Sequence, residues 1–131
     1  MIMALRQDNR KTAYAVMTAF NVIEGADGVV FSTMDLLDCL TIIRWESGGE
    51  ADAVNLVDSN AIAGHPSRGL MQVIPATFLS YALPGYDCDI NDPVSNVIAG
   101  VRYALKRYGS LDRVPGIMKL AEATQKVYVG Y

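Results

Sequence analysis

Residues 33–49 read TMDLLDCLTIIRWESGG, and this stretch predicts a helix from about Thr33 to Ser47 that ends at the two glycines. Ser32, followed three residues later by Asp35, is typical of an N-terminal cap with an acid in the first turn. Apolar residues recur at helical spacing along one face, at Leu36, Leu40 and Ile43. The stretch therefore predicts a half-buried helix with a sharply defined end.

Glu46 is the residue of this helix that best fits a chemical role. It lies on the same side of the helix as Cys39 and Ile43, at the end of the buried stripe. Burial and the negative end of the helix dipole both raise the pKa of a carboxyl group there. A glutamic acid that stays protonated near neutral pH can donate a proton to a leaving oxygen. The alternative is a surface acid at a helix end.

The rest of the chain is typical of a mainly α fold, with four or five helices around one core. Residues 50–68 are rich in Asn, Asp, Ser, Gly and Pro, which predicts a long polar loop or a short β-hairpin. A loop of this length in a small domain is typical of a segment that lines a site. The other predicted helices are Asp8–Ile23 with a stop at Gly25, Pro75–Tyr81, Pro93–Tyr108 capped by Asp92 and Gly109, and a short final helix after Pro115-Gly116.

Length and charge limit the classes of function. The 131 residues predict a single domain, 1–131, because domains centre on about 100–150 residues. A net charge of −3 argues against a nucleic-acid partner and against docking on anionic lipid. No apolar run reaches the roughly 18 residues of a membrane span, and residues 1–10 do not resemble a signal peptide. We expect another component to carry the protein to any site outside a cytoplasm.

The cysteines and the histidine do not indicate a metal site. Cys39 and Cys88 form no Cys-x-x-Cys pair, so two free thiols are expected, with a disulfide as the alternative. His65 lies in a Gly/Pro/Ser segment and is expected at the surface, where a single histidine cannot build a zinc site. We expect no metal and no cofactor.

A second short motif, Gly69-Leu70-Met71-Gln72, follows the polar loop. Gly69 suits a tight backbone entry, and the Gln72 amide offers a donor and an acceptor that suit a sugar or an amide. The alternative is a loop that closes onto the core through Leu70 and Met71.

Taken in order, these motifs resemble the SLT-type lytic transglycosylase domain, in the version found in tail tape-measure proteins and lysins of phages. The resemblance covers about residues 36–131, and the N-terminal helix within 1–31 is not diagnostic. The motifs that carry it are RWESGG 44–49, AVN 53–55, DSNA 58–61, PSRGLMQ 66–72, PATF 75–78, DP 92–93, NVIAG 96–100, Tyr103, RYGS 107–110, VPG 114–116 and YVGY 128–131.

The resemblance implies a lysozyme-like fold that cleaves peptidoglycan between N-acetylmuramic acid and N-acetylglucosamine. Glu46 would be the single acid/base: it protonates the glycosidic oxygen and then takes a proton from the muramyl 6-hydroxyl, which closes to a 1,6-anhydro product. Ser47 would orient Glu46 by a hydrogen bond. Substrate-binding or orienting roles are implied for Ser47, Ser67, Gly69, Leu70, Met71, Gln72, Tyr103 and Tyr108.

The aromatic residues near the site differ from the family pattern. Many members carry an Ala-Tyr-Asn motif whose tyrosine hydrogen-bonds the catalytic glutamate, and this chain has none. Tyr108 or a tyrosine of the tail is expected to take its place. Tyr81 and Tyr86 are expected either to border the groove or to be partly buried, and Trp45 is expected to pack in or beside the core.

Two other functions remain open from the sequence. A goose-type muramidase would need a second carboxylate, and the position where that family has an acid is Ile74 here. Asp58 is the remaining candidate, ahead of Glu50 and Asp52, although an Asx turn that orders the loop is the more ordinary role for Asp58. A non-catalytic wall-binding virion module is the other alternative. We expect a monomer that acts on peptidoglycan glycan strands, either in a phage virion or released to the cell wall.

Overall fold

The computed structural model describes the backbone of residues 2–129 and the side chains of residues 10–123. The mainly helical fold predicted from the sequence is confirmed, and the described residues form no strand. The elements are α1 Ile2–Asp27, α2 Thr33–Ser47, α3 Ser59–Ile62, α4 Pro75–Tyr81, α5 Pro93–Tyr108, a 3₁₀ helix Leu111–Arg113 and α6 Pro115–Val129.

Helix α2 begins and ends where the sequence predicts. The Ser32 hydroxyl accepts a hydrogen bond from the Asp35 N–H, and the Asp35 carboxylate accepts one from the Ser32 N–H. This reciprocal cap satisfies two backbone donors at the helix start. Gly48 ends the helix at φ 64°, a left-handed conformation that suits glycine. Glu46 is thereby fixed in the last turn.

Helix α5 is the central element of the core. It packs against α1 and α4, and it buries eight residues along its length. The Asp92 carboxylate caps it by accepting from the Ser95 N–H, and Pro93 occupies its first turn, as predicted. Its buried apolar residues meet those of α1 in one cluster that includes Val16, Phe20, Ile23, Val97, Ile98 and Val101.

Three predicted helix boundaries are wrong. Helix α1 begins at Ile2 rather than Asp8, and it continues through Gly25 to Asp27. Asp27 pairs with Arg102 of α5 at 2.8 Å, a contact that stabilises this last turn. The final helix, α6, is 15 residues long rather than short. It contacts the 3₁₀ helix and α2, the helix that carries Glu46.

The polar loop forms no strand in the described chain. It has isolated antiparallel bridges, from Arg68 to Val54 and from Arg68 to Val73, with backbone hydrogen bonds from Asn55 to Ser67 and from Gly69 to Ala53 beside them. A single turn of helix, α3, interrupts it, and this turn was not predicted. The loop therefore needs side-chain hydrogen bonds to hold its shape.

The buried amide of Asn96 on α5 provides the main attachment of the loop. Asn96 is fully buried, and its Oδ1 accepts a hydrogen bond from the Met71 N–H at 2.8 Å. Its Nδ2 donates to the carbonyls of Arg68 and Ile90 at 2.9 and 2.8 Å. One side chain thus pairs three backbone groups from two segments. The Met71 N–H and the Ile90 carbonyl depend on this amide, whereas the Arg68 carbonyl also accepts from the Val73 N–H at 3.0 Å.

Two glycines allow this close approach. Gly69 has φ 81°, and a Cβ added there would overlap the Asn96 amide nitrogen. A Cβ on Gly100 would lie 2.7 Å from the Met71 sulfur. The Gly-Leu-Met-Gln segment can therefore lie directly on α5 only because both positions lack a side chain.

The two cysteines and the histidine lie where the sequence predicts. Cys39 is buried and Cys88 exposed, and both thiols are free, as expected. Burial raises the pKa of the Cys39 thiol, so it stays protonated. His65 is exposed, as expected. No helix in the described part of the chain is long and apolar enough to cross a membrane.

The Asn96 attachment predicts a large loss of stability in Asn96→Ala. The Met71 N–H and the Ile90 carbonyl would lose their partner, and each lost pairing costs roughly 1 kcal/mol or more. We expect the free energy of unfolding in urea to fall by about 2 kcal/mol. Asn21→Ala, the same change on the exposed face of α1, is the control and should stay within about 0.5 kcal/mol of wild type. Equal effects of the two substitutions would contradict the role of Asn96.

Candidate active site

Glu46 lies where two cavities meet. Both cavities are lined by Glu46, Ile42 of α2 and Val114. We call the cavity lined by Tyr103 and Tyr108 the tyrosine cleft, and the cavity lined by Trp45 the tryptophan cavity. A carboxyl group at this junction can reach a molecule that occupies either space.

The tyrosine cleft has a volume of about 310 Å³ and carries most of the polar groups. It is bounded by α2, α4, α5 and the polar loop. Apart from the shared residues, its lining consists of Asn60, Met71, Val73, Ile74, Thr77, Gly100, Tyr103, Ala104 and Tyr108. Hydroxyl and amide groups set among apolar walls are the usual composition of a pocket that orients a small polar ligand.

The tryptophan cavity, about 370 Å³, lies on the other side of Glu46, between α2 and α6. Its remaining lining residues are Thr41, Trp45, Gly116, Ile117, Lys119 and Leu120. Trp45 is 71% exposed, so the expectation that it packs in or beside the core is wrong. The last turn of α2 lies at the molecular surface, and the indole therefore forms a cavity wall.

The surroundings of Glu46 raise the pKa of its carboxyl group. The residue keeps an exposed surface, but the walls of the two cavities displace water around it, and this desolvation is the cause of the shift. No other Asp or Glu among residues 10–123 lines either cavity. Glu46 is therefore a single carboxyl group biased toward its protonated form.

The Gly-Leu-Met-Gln segment contributes one side chain to the cleft. Met71 lines the tyrosine cleft, whereas Leu70 is buried in the core and Gly69 lies against Asn96. Gly69 and Leu70 thus act as backbone and packing positions. The alternative in which the loop closes onto the core through Leu70 and Met71 is confirmed for Leu70, whereas Met71 packs against the core and also lines the cleft.

Gln72 does not line the cleft. Its Nε2 donates to the carbonyls of Ala53 and Gly69 at 3.1 and 2.9 Å, and its Oε1 accepts from the Ser67 hydroxyl at 3.1 Å. The expectation that this amide holds a sugar is therefore corrected: its hydrogen-bonding groups hold the two sides of the polar loop together. Ser67 is buried and serves the same network.

The backbone at Gln72 supports a positioning role. Its φ of 54° is the one positive value at a non-glycine residue in the described chain. Such a conformation costs of order 1 kcal/mol and persists where surrounding contacts fix it. Here the three amide hydrogen bonds provide those contacts. The strained turn places the preceding residue, Met71, into the cleft.

Ser47 is not hydrogen-bonded to Glu46. Its hydroxyl donates to the Ile43 carbonyl at 3.1 Å and accepts from the Gly49 N–H at 3.2 Å. The expected orienting bond is corrected accordingly, because this serine closes the C-terminal turn of α2. It acts on Glu46 only by fixing the backbone that carries it.

Three tyrosines form a contiguous wall. Tyr103 meets Tyr108 edge to face at 6.5 Å between ring centroids, and Tyr81 meets Tyr103 in the same way at 5.5 Å. Tyr103 and Tyr108 line the cleft, whereas Tyr86 packs against the main core. Tyr108 shares the cleft with Glu46 and makes no hydrogen bond to it in the described part of the chain. The side chains of the tail tyrosines, residues 128 and 131, lie outside the described residues.

None of the acids considered as a second carboxylate, Asp58, Glu50 and Asp52, lines either cavity. Asp58 caps α3, where its Oδ1 accepts from the Ala61 N–H at 2.9 Å, and it lines neither cavity. Ile74 lines the tyrosine cleft, so an apolar side chain occupies the place where goose-type lysozymes carry an acid.

Several lining residues were missed by the sequence analysis. Asn60 and Thr77 lay within quoted motifs, but only the folded chain shows that they face the cleft. Trp45 was adjacent to Glu46, yet helical geometry alone pointed it away from the site. The α6 wall had no sequence signal. No group of three or more His, Cys, Asp or Glu side chains among residues 10–123 is placed to hold a metal ion.

Comparison with known proteins identifies the family. The family model described as "Transglycosylase SLT domain" matches residues 32–121. A Bacillus subtilis (strain 168) protein, "Uncharacterized protein YqbO", is 50% identical over 92 residues, which are 70% of this chain and 6% of that relative's length. No solved structure matched the chain. Since the family match covers most of the chain, including Glu46 and α5, the chain belongs to the transglycosylase SLT domain family.

Proposed function

We propose that this chain is a peptidoglycan lytic transglycosylase in which Glu46 cleaves the bond between N-acetylmuramic acid and N-acetylglucosamine. The observation that carries the proposal is the position of Glu46, a single carboxyl group with a raised pKa at the junction of two cavities. Membership of the SLT family supports peptidoglycan as the substrate.

The proposed reaction uses the Glu46 carboxyl in two protonation states. As the acid, it donates its proton to the glycosidic oxygen while the bond from the anomeric carbon to that oxygen breaks. As the carboxylate, it then takes the proton of the muramyl 6-hydroxyl, whose oxygen bonds to the anomeric carbon. The products are a 1,6-anhydromuramyl end and a free sugar hydroxyl, and no water is consumed. Glu46 ends protonated and ready for the next cycle.

No second acid among residues 10–123 lines either cavity, which favours transglycosylation over hydrolysis. An inverting hydrolase needs another carboxylate to activate water. Asp58 is committed to the α3 cap, and Ile74 occupies the cleft position where that acid would be expected. An intramolecular hydroxyl needs no separate activating residue, because it is already held beside the anomeric carbon.

The tyrosine cleft is the proposed binding place of the glycan strand. Asn60, Thr77 and Tyr103 present hydrogen-bonding groups there, which suit the hydroxyl and acetamido groups of amino sugars. Tyr108 lies in the same cleft as Glu46 and is the candidate to take the place of the family's glutamate-binding tyrosine. Met71 forms the apolar floor beside them.

A phage tail or lysin is the proposed setting of the domain, with action at the bacterial cell wall as a monomer. The motif pattern from Arg44 onward supports this setting. The Bacillus relative is a much longer protein than the shared region, which agrees with a wall-cleaving domain carried on a large structural chain.

Glu46→Gln should abolish cell-wall clearing. The amide keeps the shape of the side chain but cannot supply or accept the proton, and such a loss typically costs a factor of about 10²–10⁴ in rate. The measurement is the fall in turbidity of purified peptidoglycan. Glu50→Gln is the matched control, since Glu50 is exposed, lies four residues away and lines neither cavity. Equal clearing by wild type and Glu46→Gln would overturn the assignment, and no clearing by wild type would favour a wall-binding module.

Glu46→Gln should also make the protein more stable near neutral pH. The raised pKa of Glu46 means that the folded state holds this proton more tightly than the unfolded chain does. The wild type therefore loses stability as pH rises from below 4.5, the ordinary value, through the raised pKa. The variant has no such loss, so its advantage in urea unfolding should grow across that range. A difference that is independent of pH would contradict the raised pKa.

A further inference from the structure

The tryptophan cavity is not used by the proposed reaction, although Glu46 borders it. Its lining is mostly apolar: Ile42, Val114, Ile117 and Leu120 line it together with the exposed Trp45 indole. Its other side chains are Thr41, Glu46 and Lys119. The aliphatic walls offer no hydrogen-bond partner to sugar hydroxyls, which would lose their bonds to water there. The cavity therefore suits a different part of the substrate than the tyrosine cleft does.

One cationic side chain, that of Lys119, belongs to the described lining of the tryptophan cavity. Lys119 of α6 is exposed on its rim and forms no ion pair with the side chains of residues 10–123. A ligand that matches the cavity thus combines methyl-rich surface with a negative charge. The lactyl-peptide substituent of muramic acid has this composition, because its lactyl and alanyl units carry methyl groups and its peptide carries carboxylates.

The covalent connectivity of the substrate fits the arrangement of the two spaces. The substituent is attached to the same sugar whose anomeric carbon reacts at Glu46, and the two cavities meet at Glu46. We propose that the tryptophan cavity binds the lactyl-peptide stem of the muramic acid being cleaved, with Trp45 against its apolar part and Lys119 paired with a carboxylate. This inference rests on the proposed function and makes the enzyme selective for peptide-bearing glycan.

The first test compares rates on intact peptidoglycan and on the same glycan stripped of its peptides by an amidase. The ratio of the two rates should exceed one for the wild type. It should fall about two- to fivefold in Lys119→Gln, as expected for an exposed charge pair, and about tenfold in Trp45→Ala. Lys106→Gln, the same change at an exposed position of α5 outside both cavities, is the control and should keep the wild-type ratio. Since each variant is its own reference on stripped glycan, loss of folded protein does not alter the ratio.

The second test uses Trp45 as a reporter, because it is the single tryptophan of the chain. In Glu46→Gln, N-acetylmuramyl-L-alanyl-D-isoglutamine should cause a saturable change in tryptophan emission that Lys119→Gln weakens. A chitin trisaccharide, which has no lactyl-peptide group, should cause a smaller change. The proposal requires both results: an unchanged ratio in the variants, or an equal response to the two probes, overturns it. A wild type that cleaves neither substrate overturns the proposed function itself, and the inference with it.

Discussion

The hydrogen bonds made by the Asn96 side chain are the constraint on which the site depends. The polar loop and the segment after it form no strand among the described residues, so part of their backbone needs partners on α5. The Asn96 amide pairs with Arg68 at the end of the loop, with Met71 and with Ile90. Without these bonds, the Met71 segment loses its polar attachment to α5, and Met71 is one wall of the tyrosine cleft.

Gln72 extends this constraint to the other side of the loop. Its amide joins Ala53, Ser67 and Gly69 while its backbone stays in a strained left-handed conformation. A residue whose polar groups fit a ligand is here used for support. The cleft is therefore shaped by two amides that do not line it, the buried Asn96 and the half-buried Gln72.

The surroundings of Glu46 disfavour its charged form, and the proposed reaction uses its protonated form. Its carboxyl lies at the negative end of α2 and beside apolar walls, and both features disfavour its charged form. Glu46 is exposed, yet it lines both cavities. In the proposed reaction this junction holds the glycosidic bond, where a retained proton is useful.

The sequence predicts the parts of the molecule that follow local rules. The ends of α2 and α5 follow from Ser32, Asp92 and their capping partners, and Glu46 follows from the apolar period of α2. It does not predict interactions between distant segments. The Arg102 ion pair at the end of α1 is one of these interactions, and the α6 wall of the tryptophan cavity depends on others.

The roles of neighbouring residues were misassigned for the same reason. Trp45 and Gln72 belong to motifs that contain site residues, and adjacency in sequence indicates a shared region but not a shared direction. Only the folded chain shows that the indole faces a cavity and that the amide faces the loop. Motifs therefore indicate where the candidate site lies, whereas the role of each residue in it follows only from the folded structure.

The chemistry proposed for Glu46 is tested most directly by digesting peptidoglycan in water enriched in the heavy oxygen isotope and weighing the products. Closure by the muramyl 6-hydroxyl predicts muropeptides lighter by one water than the hydrolytic products, with no heavy oxygen at the new muramyl ends. Muramyl ends of full hydrolytic mass that carry the isotope would contradict it, because they would show that a water molecule, activated by a second group, attacked the anomeric carbon.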